Sequence, residues 1–95
     1  MKGYVVCVYK NISDQEKLMK YAQRARIAVE KFKGKFLIRG GRSVSNEGEK
    51  SPRTVVIEFY SYEQAKAFYQ SKDYQDAHTI LKDHAERQFQ IIEGT

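Results

Sequence analysis

The chain has 95 residues, of which 41% are hydrophobic and 31% charged, with a net charge of +5. That balance belongs to a folded globular protein rather than a disordered one, and the length allows one domain, residues 1–95, with limited burial by a monomer alone. No apolar run approaches the roughly 20 residues that span a bilayer.

No secretory leader is recognisable at the N-terminus. The lone Cys7 offers no disulfide framework, so a reducing cytoplasm is the expected location. Residues 3–10 read as the first strand, and Tyr4-Val5-Val6-Cys7-Val8-Tyr9 within it has no polar alternation. Side chains alternate across a strand, so both faces of this one must leave water. Cys7 therefore reads as a small buried hydrophobe. Ser13 and Glu16 form a capping box, with Asp14 as the alternative cap. Behind them Leu18, Tyr21, Ala22, Ala25, Ala28, Val29 and Phe32 recur at helical spacing, until Gly34 stops the helix in a left-handed position.

Lys35 to Arg39 reads as the second strand, ending in Gly40-Gly41. The polar stretch from Gly40 to Pro52 is long for a hairpin link, where about two to five residues are usual. It is either a functional loop or mobile filler. The third strand runs Arg53 to Phe59, and Ser61 with Gln64 opens a helix whose inner side holds Ala65, Phe68 and Tyr69. A further helical stretch begins near Ser71, with Tyr74, Ala77, His78 and Leu81 on one face, and the fourth strand is Gln88 to Glu93. The order is that of a ferredoxin-like α+β sandwich, βαββαβ, with a four-stranded antiparallel sheet. Two amphipathic helices cover one face of such a sheet. A second copy of the chain is the expected cover for the other, giving a homodimer.

If Phe36 lies opposite Phe59 in a flat pairing, Leu37 and Arg39 share a face with Val56 and Glu58, and Arg39 and Glu58 become diagonal neighbours. Two readings follow. The pair fixes dimer register while desolvation offsets most of its attraction. Alternatively it is a pocket wall, where Arg39 holds a carboxylate or enolate and Glu58 carries a proton. Tyr60, Tyr62, Tyr69 and Tyr74 gather around the second helix, which suits either packing or a pocket rim. His78 and His84 are not at metal-ligand spacing, and no motif asks for a metal or an organic cofactor. Ser43, Ser45 and Ser51 form no nucleophile elbow, and Gly40-Gly41-Arg42 is no phosphate loop. Lys17, Lys20, Lys31, Lys33 and Lys35 are interspersed with Glu16 and Glu30, a solvated mixed face rather than a nucleic-acid stripe.

The segments Phe32-Lys33-Gly34-Lys35-Phe36-Leu37-Ile38-Arg39-Gly40-Gly41, Pro52-Arg53-Thr54-Val55-Val56-Ile57-Glu58-Phe59, Phe68-Tyr69-Gln70-Ser71 and Tyr74-Gln75, with the closing Ile92-Glu93-Gly94, together have a family look. The chain resembles the small bacterial proteins grouped as domain of unknown function 1330, in the dimeric α+β-barrel superfamily. The resemblance implies two facing sheets that close a barrel-like dimer with a cleft in each subunit. Carried over to this sequence, its polar motif positions are Arg39, Arg53, Glu58, Tyr69, Ser71 and Tyr74. Members of the family it resembles often carry an Arg shortly after the final Tyr-Gln, where this chain has Leu81 followed by Lys82. Lys82 or His78 would then replace any anion contact made there, unless this protein binds something else.

Three functions compete. A small-molecule protein, either a binder, an isomerase or a cofactor-free oxygenase, would hold an anionic or aromatic carbonyl compound in the cleft, with Arg53, Tyr69, Ser71 and Tyr74 around it. A non-catalytic dimeric scaffold or regulator is the second. An RNA-recognition module has the same strand order, but Thr54 and Val56 occupy positions where stacking rings are needed, which disfavours nucleic acid.

Overall fold

Seven elements succeed one another in the computed structural model, which describes residues 1–95: β1 (Gly3–Ile12), α1 (Gln15–Lys31), β2 (Lys35–Arg39), β3 (Thr54–Phe59), α2 (Tyr62–Gln70), α3 (Lys72–Leu81) and β4 (Ala85–Glu93). The strands form one antiparallel sheet in the order β2-β3-β1-β4. The fold is ferredoxin-like α+β, with the second helical leg split into α2 and α3. No helix is long and apolar enough to cross a membrane.

Local chemistry sets the helix ends. Asp14, not Ser13, caps α1, accepting from the Lys17 amide at 3.1 Å. Ser13 instead ties the end of β1 to β4, its amide and hydroxyl both donating to the His84 carbonyl. Ser61 caps α2 through the Gln64 amide, while the Gln64 side chain reaches the Phe32 carbonyl rather than closing a box. Ser71 ends α2 and begins α3, donating to the Phe68 carbonyl and accepting from the Tyr74 amide. At the end of α1 the left-handed residue is Lys33 (φ 59°), not Gly34. Gly34 is needed for proximity: a Cβ there would lie 2.7 Å from the Phe59 ring and 2.9 Å from Val29.

Two bulges shape the sheet. Between Tyr9 and Asn11, β1 carries one residue more than β4, and between Phe36 and Ile38, β2 carries one more than β3. A bulge reverses which face the following side chains take. Phe36 pairs with Ile57, not Phe59. Beyond the extra Leu37, Ile38 pairs with Val56 and Arg39 with Val55. β4 also starts three residues earlier than periodicity places it, so Arg87 belongs to the strand and sits opposite Tyr9.

Val5, Cys7 and Tyr9 from β1, Val55, Ile57 and Phe59 from β3, and Phe68, Tyr74 and Leu81 from the helices form one buried cluster on the helix side. The opposite face carries Val6, Val8, Val56, Ile38 and Ile92 with no helix over it; Ile38 and Ile92 are each 47% exposed. The closest backbone approach falls at Gly3, where a Cβ would stand 2.5 Å from the Ser61 carbonyl oxygen and 2.6 Å from the Tyr62 Cα. Backbone cannot yield as a flexible side chain does. Gly3→Ala is expected to destabilise by about 1–3 kcal/mol, read from urea unfolding midpoints; an unchanged midpoint would show that β1 and α2 do not meet as described.

Candidate functional site

Between α1 and the sheet lies a cavity of about 330 Å³, lined by 18 residues of which 13 are hydrophobic. It exists because α1 turns small side chains, Ala22 and Ala25, toward the strands. Four arginines line it: Arg39 from β2, Arg53 from the residue before β3, Arg87 from β4, and Arg26 from α1, which is paired with Glu30 at 3.5 Å. Arg39, Arg53 and Arg87 are on the helix side at one end of the sheet. Arg39 lies opposite Val55, the Tyr9 amide donates to the Arg53 carbonyl at 2.9 Å, and Tyr9 lies opposite Arg87. No Asp or Glu lines the cavity, and none of Arg39, Arg53 and Arg87 forms a salt bridge.

Arg87 is the best anchored. Its Nη1 donates to the Tyr9 and Tyr21 hydroxyls at 3.2 and 3.1 Å, with the Cys7 Sγ at 3.5 Å, and its Nη2 donates to the Tyr74 hydroxyl at 2.8 Å. The Tyr21 and Tyr74 hydroxyls are themselves 2.9 Å apart. The guanidinium also lies over the Tyr21 and Phe89 rings, 5.0 and 4.9 Å from their centroids, favourable cation–π placements. Burial works against its charge, but the surrounding phenol and thiol groups more than offset this and hold its pKa above the ordinary value. Burial pushes Tyr9 up to about 12, with Tyr21 adding and Arg87 opposing, and pushes Tyr74 up as well. The Cys7 thiol is raised by burial against the pull of Arg87.

Arg53 is placed by its backbone. The Ser51 hydroxyl accepts from the Arg53 amide at 3.2 Å and lies 2.7 and 2.8 Å from the carbonyls of Tyr9 and Arg53. Its Nε is buried without a hydrogen-bond partner. An unpaired buried donor is costly, of order 1–3 kcal/mol, so this nitrogen marks a place where an acceptor is wanted. Arg39 lies 4.5 Å above the Phe36 ring at the solvent-exposed edge of the cavity.

Of the residues the sequence singles out, the cavity brings together Arg39, Arg53 and Tyr74. Glu58 is not among them. It is on the other face of the sheet, where it accepts from the Tyr4 hydroxyl at 3.2 Å and lies 3.9 Å from Lys2. The Leu37 bulge is the reason: it turns Arg39 inward, so the ion pair a flat register predicts does not form. Tyr69 packs outside the cavity at a tilt against the Tyr74 and Phe89 rings, and Ser71 serves as the cap of α3. Lys82 and His78 line a separate surface groove with Tyr69; burial and the positive charges of Arg87 and Lys82 hold the His78 pKa below its usual value. Sequence reasoning misses Arg87, Tyr9 and Tyr21 as site residues. The available signal is the alternation Arg87-Phe89-Ile91, a base on the apolar side of a strand.

A tyrosine whose folded pKa is raised keeps its proton more tightly in the folded state, so its contribution is intact below the unfolded value near pH 10 and is lost as pH rises toward 12. The urea midpoint is expected to fall from pH 9 to pH 11.5, and to fall less in Tyr9→Phe. Parallel curves for the two proteins would contradict the burial of this hydroxyl.

Among solved structures, the fold is similar to a protein of unknown function from Rhodopseudomonas palustris (TM-score 0.80, 11% identity, covering 99% of this chain and 82% of that one). A dimeric ferredoxin-like protein of unknown function from Jannaschia sp. CCS1 is similar too (TM-score 0.79, 13% identity, 99% and 100% covered). More distant is a Caulobacter crescentus CB15 protein provisionally described as an antibiotic biosynthesis monooxygenase (TM-score 0.58, 11% identity, 99% and 89% covered). These likenesses establish the fold alone. No curated protein matches the chain. The family model described as Domain of unknown function (DUF1330) matches residues 2–95, and the chain belongs to that family.

Proposed function

We propose that the protein binds a small organic anion, a carboxylate on an apolar or aromatic body, in the cavity between α1 and the sheet. One observation carries this reading: four arginines line a mostly apolar cavity that contains no carboxylate, and three of them, Arg39, Arg53 and Arg87, have no acidic partner anywhere in the protein. Like charges gathered without counter-ions cost free energy in the empty protein and are relieved by an anion. Arg39 and Arg53 are the anion-holding groups, because their donors are the least committed within the protein; Arg recognises carboxylates through paired N–H donors. Tyr74 forms part of the wall, Tyr69 and Ser71 fix Tyr74 from behind, and the aliphatic lining takes the ligand's body. The cavity offers donors and no carboxylate or histidine base, which favours a binding protein over one that shuttles protons.

Calorimetry with benzoate and its neutral analogue benzamide tests this. Benzoate is expected to bind and benzamide not, and Arg53→Gln to weaken benzoate at least tenfold, the loss of a charge-assisted contact worth about 1.5–3 kcal/mol. Absence of binding or thermal stabilisation by aromatic and aliphatic carboxylates at millimolar concentration would overturn the reading.

The whole chain, in this reading, works as a single-domain homodimer joined through the helix-free face. Val6, Val8, Val56, Ile38 and Ile92 are too apolar for a surface meant to stay wet, and several structural neighbours are described as dimeric. Glu58 and Tyr4 would then lie at the protomer contact. Ile92→Lys is expected to convert the dimer to monomer in sedimentation while the far-UV spectrum stays the same. A wild-type monomer at micromolar concentration would exclude the arrangement.

A further inference from the structure

Within the anion-binding reading, on which this step rests, we infer that the Arg87 end of the cavity is an oxyanion site, so that the ligand is two-ended: its carboxylate meets Arg39 and Arg53 while a second, acidic oxygen meets Arg87 and its tyrosines. The chemical class is a hydroxyaryl carboxylate or an enolisable oxo acid.

Proton accounting leads there. A phenol has one proton to donate and lone pairs to accept. Arg87 donates to the hydroxyl oxygens of Tyr9, Tyr21 and Tyr74, which directs their lone pairs toward the guanidinium. Three phenol protons remain to be placed. One is used between Tyr21 and Tyr74. For that of Tyr9 the neighbouring group is the Cys7 sulfur, a weak acceptor, and no protein oxygen accepts the third. A fixed cation with unspent O–H donors is the arrangement that stabilises a localised negative oxygen in a low-dielectric site. A neutral hydroxyl on the ligand would gain less there than its conjugate base.

The two ends are separated by one strand. Arg53 precedes β3 and Arg87 is on β4, with β1 and Tyr9 between them, so their strands lie about 10 Å apart, two strand spacings. Both side chains reach into the same cavity, and its volume of about 330 Å³ suits a single ring carrying an oxygen group at either end. Arg53 Nε, buried and without an acceptor, stands at the carboxylate end; the spare phenol protons stand at the other. Between the two arginines lie Tyr9 and Cys7 of β1, and Val55, Val5 and Ile57 line the cavity further along the strands.

The test compares benzoate with 4-hydroxybenzoate by calorimetry on the full chain, and follows the ultraviolet spectrum of 4-hydroxybenzoate through a pH titration with protein in excess. The second acid is expected to bind at least tenfold more tightly, and its bound phenol to ionise at least one pH unit below the free compound. Tyr21→Phe and Tyr9→Phe, checked for folding by circular dichroism, are expected to narrow the affinity ratio. Arg87→Gln is the more drastic variant, and the wild-type comparison stands even if that protein does not fold. Benzoate binding with equal affinity for the two acids, or an unshifted phenol titration, overturns the oxyanion site while leaving the anion-binding reading intact. If neither acid binds, both fall.

Discussion

The contact on which most else depends is that of the Arg87 guanidinium with its phenols. Arg87 is on β4, and its partners come from β1 (Cys7 and Tyr9), α1 (Tyr21) and α3 (Tyr74). One side chain thus links two adjacent strands to two of the helices packed over them. A buried polar network of this kind is stabilising only while every member is satisfied, because each group left without a partner carries its desolvation cost. It also fixes the distance between α1 and the sheet at one end. With that end propped open by tyrosines and the facing α1 positions reduced to alanine, a void beside the strands is the geometric consequence.

The void would be a plain packing defect if its lining were wholly aliphatic. Instead the same end of the sheet gathers Arg39, Arg53 and Arg87, each from a different strand or strand entrance. No requirement of the fold explains three cations with no acid among them. Proteins that violate local rules for burial and charge tend to do so where a ligand supplies the missing partner. Glu58, the acid of β3, lies on the other face and is already engaged with Tyr4 and Lys2. The sheet thereby separates two chemistries, a donor-rich cavity under the helices and an outer surface where valines and isoleucines are flanked by Glu58 and by Gln88 and Gln90 of β4.

The architecture is legible in the chain because hydrophobic periodicity is strong where it matters. The unbroken apolar run of β1, the stripe of α1 and the Ser61 and Ser71 caps all coincide with observed elements. What escapes is register. Phe36-Leu37-Ile38 is three apolar residues in succession, and nothing in that composition says that the middle one is the extra residue of a bulge. Assuming regular alternation sends Arg39 to the wrong face and creates a partnership with Glu58 that the backbone forbids. Arg87 escapes for a related reason: a charged residue at the end of an apolar strand looks like its boundary, yet the strand continues to Ala85. Tyr9 and Tyr21 are read correctly as core, but the composition does not reveal that their hydroxyls converge on one cation.

The extra residue in β2 has one more effect. β2 is an outermost strand, and its free hydrogen-bonding rim would otherwise be a template on which chains could add side by side into an open-ended ribbon. A kink at Leu37 spoils the even spacing such addition requires. The feature that turns Arg39 to the helix side of the sheet therefore also protects the molecule from runaway polymerisation along its edge.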